Sequence, residues 1–226
     1  VKDYQREFIH FLVEAGALQF GRFTLKSGRE SPYFFSSAKF DTGETLARLG
    51  YFYACAIQEL EPLPSVIYGP AYKGIPLAVA AAIALRQHFD IDAAYCFDRK
   101  EAKTHGDAGL FVGRIPTESD RVAMVDDVIT DGQTKFEAIE RLRSVSQAPL
   151  AGMVIALNRQ EKTAKGEDPV ARLEKSSRVP VLAIATLDDV IAALSTPGAD
   201  GKPAIDEATQ ERVRAYREAY GIARHV

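Results

Sequence analysis

Val122-Ala123-Met124-Val125-Asp126-Asp127-Val128-Ile129-Thr130-Asp131-Gly132-Gln133-Thr134 is the stretch on which the reading of this chain turns. Its first four residues form a short apolar run of the kind that becomes a buried strand. Two adjacent carboxylates follow, then a turn of small and hydroxylated residues, and from Lys135 to Val145 apolar residues recur at helical spacing. A strand that enters a helix through a tight polar turn is the repeating unit of an α/β domain.

The flanking sequence repeats that unit. Short apolar runs at Val66-Ile67-Tyr68, Ala93 to Phe97, Met153 to Leu157 and Val181 to Ala185 predict strands. Helices are predicted over residues 45–60, 75–85, 135–145 and 187–194. Such alternation implies a mostly parallel sheet flanked by helices, with ligands bound in the loops at the carboxyl ends of the strands. Ahead of this region, Tyr4, Phe8, Ile9, Phe11 and Leu12 predict a packing helix ended by Gly16. Phe23-Thr24-Leu25 and Tyr33-Phe34-Phe35 then bracket a polar turn, as a β-hairpin does.

Three connections stand out. Residues 98–116 are long, polar and hold three glycines, which reads as a lid or a disordered insertion. Residues 160–178 are highly charged; a helix is the expectation there, with Gly166 and Pro169 against it. Residues 195–204, with Pro197, Gly198, Gly201 and Pro203, read as a linker to a last charged helix over 206–220.

Composition bounds the partners. The 226 residues are 46% apolar and 26% charged, and the net charge is -3. That balance gives no general attraction to nucleic acid or anionic lipid, so neither is expected as a partner, and a polyanionic ligand needs a local cluster of cations. The two cysteines, Cys55 and Cys96, sit among apolar residues like reduced core thiols. His10, His88, His105 and His225 lack metal-ligand spacing. With no secretory leader and no long apolar span in view, cytoplasmic residence is the expectation.

The chemistry is concentrated at Asp126 to Thr134. At about 4 Å and an effective dielectric near 20, two like charges cost roughly 4 kcal/mol, so an adjacent acid pair implies a positive partner. Directly after it, a helix N-terminus offers backbone N–H groups and a favourable dipole to a phosphate. A ribose 5-phosphate derivative needs both: carboxylates for the sugar hydroxyls and a cradle for the phosphate. An acidic strand end with a capped helix is the plain alternative for a lone Asp-Asp pair. Neither G-x-G-x-x-G after a strand nor G-x-x-x-x-G-K-[ST] is present, which removes the main support for dehydrogenase and P-loop readings.

The string Asp126-Asp127-x-x-Thr130-x-Gly132-x-Thr134 behind its strand resembles the phosphoribosyl pyrophosphate motif of type I phosphoribosyltransferases. Four further segments resemble the orotate-using members. Phe23 to Gly28 with Ser31 to Phe35 is similar to their N-terminal hood, and Gly69 to Pro76 to their pyrophosphate loop. Arg99 to Gly106 is similar to their mobile catalytic lid loop, and Asn158-Arg159-Gln160-Glu161 to their orotate-contacting turn.

The resemblance implies a type I phosphoribosyltransferase fold over residues 1–195, with the hood contributed by about residues 1–40 and a linker and helix over 196–226. It implies Mg2+, held mainly through substrate and water near Asp126 and Asp127 rather than by direct protein ligands. Contacts to phosphoribosyl pyrophosphate are implied for Lys26, Tyr72, Lys73, Arg99, Lys100, Lys103, His105 and the run Asp126, Asp127, Val128, Ile129, Thr130, Asp131, Gly132, Gln133, Thr134. Phe34, Phe35, Thr130 and Arg159 are implied to meet orotate, and Lys103, His105, Asp126 and Asp127 to serve catalysis. A non-proline cis peptide near Ala71 and Tyr72 belongs to the same pattern, as does a homodimer whose lid loop serves the neighbouring subunit.

Physical chemistry supports several of these roles. A mobile cationic loop can stabilise charge on departing pyrophosphate and exclude water. Arg159 follows an apolar strand, where an arginine either pairs with a structural acid or recognises an anion; orotate carries a carboxylate that a planar guanidinium matches. Strand alternation sends one of Phe34 and Phe35 to the core. Three residues depart from the pattern: Asp131, Gln133 and Asn158 replace a small residue, a hydroxylated residue and an aspartate. Asp131 is expected to face solvent or orient a neighbour. A transferase for another base, or a non-catalytic sensor of phosphoribosyl pyrophosphate, are the competing readings.

Overall fold

The apolar run at 122–125 becomes the first half of a longer strand that carries both aspartates inside the sheet. In the computed structural model, which describes residues 1–25, 28–99, 109–197 and 201–222, the chain opens with α1 (Asp3–Glu14) and a hairpin of β1 (Leu18–Thr24) and β2 (Glu30–Phe35). A 3-10 turn (Ser37–Lys39) leads to α2 (Gly43–Ile57), β3 (Val66–Tyr68), α3 (Gly74–Phe89), β4 (Ala94–Asp98) and β5 (Phe111–Gly113). Then come β6 (Val122–Val128), α4 (Gln133–Arg143), β7 (Leu150–Asn158), α5 (Pro169–Ser177), β8 (Val181–Thr186), α6 (Leu187–Ser195) and α7 (Glu207–Tyr220).

The main sheet has the order β5-β4-β3-β6-β7-β8, and every pairing is parallel except that of β5 with β4. Alternation along β6 divides the core between the two faces of the sheet. Ala123 and Val125 join Phe8, Leu12, Tyr53, Ile57 and Ile67 under α1, α2 and α3. Val122 and Met124 join Tyr68, Ile139, Leu142, Met153 and Leu173 under α4 and α5.

Local chemistry explains the element ends. Thr42 caps α2 by accepting the Thr45 N–H, so that helix starts before the first apolar residue of its periodic pattern. Asp168 caps α5 through Val170 N–H and Ala171 N–H, and Pro169 occupies the first turn, where its missing N–H costs nothing. The charged segment 160–178 is therefore helical only in its second half. Strand β5 lies within the segment read as lid or insertion; at three residues it is too short to show a period. Gly113 holds it with φ +85°, and a Cβ there would lie 2.3 Å from the Tyr95 carbonyl oxygen.

The hairpin stands apart from the main sheet as a two-stranded unit. Helix α7 closes on it, with the Tyr216 ring edge-on to Tyr33 at 5.9 Å. Among the described residues no helix is long and apolar enough to cross a membrane.

Candidate active site at the carboxyl edge of the sheet

The pleat of β6 resolves the crowding of its acid pair. Asp126 follows the Val122 and Met124 face and receives the ammonium of Lys135, from the first turn of α4. Asp127 follows the opposite face and accepts from Lys73 Nζ and Ser37 Oγ, both at 2.6 Å. Each carboxylate thus has its own lysine on its own side of the sheet. The remaining oxygens accept backbone N–H groups: Asp127 N–H reaches Asp126 Oδ1, and Val128 N–H reaches Asp127 Oδ1, both at 2.8 Å.

The two environments push the acids apart. Burial raises the Asp126 carboxyl above the ordinary aspartate range, with Lys135 offsetting only part of that. Burial also pushes Asp127 upward, but Lys73 and Ser37 outweigh it and hold the group below that range. Tyr53, fully buried, donates to the Asp126 carbonyl at 2.7 Å and fixes the strand from beneath.

Around this pair lies a cleft of about 530 Å3, lined on one side by Pro70, Ala71, Tyr72 and Lys73 and on the other by Val128, Thr130, Asp131 and Thr134. The Ala71-Tyr72 peptide is cis, and the Tyr72 ring is 65% exposed at the rim. Asp98, at the end of β4, accepts the Ala71 N–H at 2.8 Å and the Arg141 guanidinium at 2.9 Å, which locks the 70–73 loop to α4. A larger groove of about 1040 Å3 between α1, α2 and the end of α3 is lined partly by Asp3, Glu7, His10 and Glu14.

The turn into α4 carries the residues expected to cradle an anion. Gly132 has φ +81°, and α4 starts directly after it. Ile129 is buried beneath the turn, whereas Thr130, Asp131, Gln133 and Thr134 are exposed. Asp131 faces solvent and its Oδ1 accepts the Gln133 N–H at 3.0 Å, so it orients a neighbour as well. Gln133 in turn donates to Glu137 at 3.1 Å.

Of the base-side residues, Phe35 packs on the core while Phe34 is exposed and stacks on Phe23 at 5.6 Å. Arg159 leaves the end of β7, next to the end of β6, and donates to Glu161 at 2.8 Å and to the Tyr33 hydroxyl at 3.3 Å. Asn158 accepts the Gln160 N–H at 2.9 Å and shapes that turn. Arg99 lies at the root of the 98–116 segment, its N–H bonded to the Leu110 carbonyl at 2.6 Å. Lys26, Lys100, Lys103 and His105 lie outside the described residues.

Lys135, Ser37 and Asp98 carry no motif signal, and Glu161 enters the sequence reading only as the last residue of the 158–161 turn, with no role of its own. Lys135 had the nearest clue, a cation in the first turn of the helix that follows the acid pair. Among the described residues no group of three or more His, Cys, Asp or Glu side chains is arranged to hold a metal.

No family model matches the chain. Curated relatives do: an orotate phosphoribosyltransferase of Vibrio cholerae is 47% identical over 223 residues, covering 98% of this chain and all of the relative. One from Vibrio atlanticus is 46% identical with the same coverage. The crystal structure of orotate phosphoribosyltransferase from Francisella tularensis superposes with a TM-score of 0.82 at 35% identity, covering 96% of this chain and all of that one.

Proposed function

Because the chain belongs to the orotate phosphoribosyltransferases, pentosyltransferases of pyrimidine biosynthesis with the type I fold, we propose that phosphoribosyl transfer takes place in the cleft between β6 and the 70–73 loop. The observation that carries this reading is the lysine-held pair Asp126 and Asp127 beside the open N-terminus of α4.

In this reading the 5-phosphate of phosphoribosyl pyrophosphate sits on the backbone N–H groups of residues 130–134, and the ribose hydroxyls donate to Asp127 and Asp126. Lys73, whose side chain is 67% exposed, is long enough to leave Asp127 for the pyrophosphate when sugar hydroxyls replace it. The anomeric C–O bond breaks with its electron pair staying on pyrophosphate. Orotate N1 bonds to that carbon and gives up its proton to the departing pyrophosphate, yielding orotidine 5-monophosphate. Phe34 frames the base, and Arg159 meets its carboxylate.

All four oxygens of Asp126 and Asp127 accept from protein donors, so this pair suits Mg2+ held through substrate and water rather than by direct ligation. When bound on the donor, Mg2+ offsets pyrophosphate charge. The functional unit in this reading is a cytoplasmic homodimer in which Arg99, Lys103 and His105 close over the neighbouring site, with Lys26 and Lys100 on the phosphates; these roles rest on the sequence resemblance.

The test follows loss of orotate absorbance with phosphoribosyl pyrophosphate and Mg2+. Asp127→Asn should lower kcat by about 100-fold, within the range for a lost group that acts in the transition state. Retained turnover would move the reaction elsewhere. Mixing inactive Lys103→Ala and Asp127→Asn subunits should restore activity, because half of the hybrid dimer's sites then have both groups; no recovery would place each lid on its own site.

A further inference from the structure

Glu161 sits where three parts of the chain meet. Its Oε1 accepts the Tyr33 hydroxyl at 2.6 Å and Arg159 Nη2 at 2.8 Å, and its Oε2 lies 3.5 Å from Arg29 Nη1. All of these side chains are largely covered: Glu161 is 14% exposed, Arg159 21% and Arg29 22%. Burial keeps the Tyr33 hydroxyl protonated far above its usual range.

The geometry of the guanidinium matters most. Tyr33 takes Arg159 Nε and Glu161 takes Nη2, so protein groups occupy the Nε–Nη2 side of the plane. The other two-point edge, Nη1 with the second Nη2 hydrogen, donates to no partner among the described residues. A carboxylate binds such an edge with two parallel hydrogen bonds. Charge agrees with shape: Arg29 and Arg159 against Glu161 leave one positive charge, which a monoanionic base neutralises and a neutral base does not.

Helix α7 holds the turn in place. Glu161 bridges Gly221, Lys162 N–H reaches the Tyr220 carbonyl and Ile222 N–H the Gln160 carbonyl, both at 2.9 Å. Tyr220 stacks under Arg29 at 4.2 Å, and Arg217 pairs with Asp188 at 3.2 Å.

We propose that Glu161, backed by Tyr33 and clamped by α7, is a positioning residue for base selection that aims the open edge of Arg159 at the carboxylate of orotate. The proposal rests on reading Arg159 as the orotate contact. It extends the base site to the C-terminal helix.

The test compares the full-length enzyme with Glu161→Gln and Arg159→Lys, measuring kcat and KM for each substrate with Mg2+ present. A charge-assisted hydrogen bond lost from the positioning side should raise KM for orotate about tenfold in Glu161→Gln, while kcat and KM for phosphoribosyl pyrophosphate stay within about twofold. An unchanged orotate KM in Glu161→Gln, or equal losses for both substrates, would overturn it. If Glu161→Gln does not fold, Tyr33→Phe should show the same split at about threefold, and no split there overturns the proposal as well. Arg159→Lys separates the layers: if it leaves orotate KM unmoved, the Arg159 assignment fails. If it raises orotate KM and Glu161→Gln does not, only the positioning role fails.

Discussion

Lys135 reaches back from the first turn of α4 to close its ammonium on Asp126, and both side chains are only about 10% exposed. Removing one member of a buried ion pair costs about 3–5 kcal/mol because the other charge stays buried. Lys135→Met should therefore lose about 3 kcal/mol at neutral pH, read from urea unfolding. Asp126 already sits above the ordinary range through burial, and losing Lys135 raises it further. A raised carboxylate value penalises the fold above the unfolded value, so the deficit should shrink as pH falls towards 4. A deficit that is flat with pH would mean that Asp126 is not the group left stranded.

Helices α2 and α3 approach closely at Gly50, where a Cβ would lie 2.6 Å from the Ala80 carbonyl oxygen and 2.9 Å from the Ala80 Cβ. Backbone cannot yield as a side-chain tip can. Overpacking costs about 1–3 kcal/mol, against about 1 kcal/mol gained from replacing glycine in a helix. Gly50→Ala should thus lower stability by up to about 2 kcal/mol by chemical denaturation, and a stabilised variant would refute the close packing.

What could be read from sequence and what could not divide along range. The strand-turn-helix at 122–145 is local, and its periods show in the residues themselves, so the sheet and the turn into α4 are legible. Asp127 finds Ser37 across 90 positions and Tyr33 finds Glu161 across 128, contacts that no spacing announces. The pleat also changed the meaning of the acid pair: two carboxylates crowded in sequence lie on opposite faces, each with its own lysine. Strand β5 was invisible because three residues carry no period, and Pro169 was read as a breaker because its place at the first turn depends on the Asp168 cap. The spacing of Tyr216 and Tyr220 marks a helix face, but only the fold shows that Tyr33 and Arg29 lie against it.

Asp120 gives an acid-limb prediction. It accepts the Thr117 N–H at 2.9 Å, the Ser65 hydroxyl at 2.7 Å and Arg114 at 2.7 Å, tying the starts of β3 and β6 together. The Thr117 N–H first, then Ser65, pull its carboxyl down to about 2. A depressed acid contributes stability that is complete above the ordinary aspartate value, about 3.9, and is lost as pH falls through the folded value. Asp120→Asn should be less stable than the parent at pH 7, with a shallower fall in Tm between about pH 4 and 2. Parallel Tm curves for the two proteins would rule out this linkage.

Asp131 offers the sharpest test of the phosphate cradle. Its carboxylate holds the Gln133 N–H at 3.0 Å, at the N-terminus of α4, where the proposed 5-phosphate site would need donors and no competing negative charge. The side chain is exposed, so water and salt screen the repulsion, and the effect should be modest. Asp131→Ser keeps a side-chain oxygen within reach of the Gln133 N–H while removing the charge. It should lower KM for phosphoribosyl pyrophosphate by about threefold at low ionic strength, with the advantage shrinking as salt rises and orotate KM unchanged. A higher donor KM in Asp131→Ser would show instead that the carboxylate organises the turn, with its grip on Gln133 outweighing its charge.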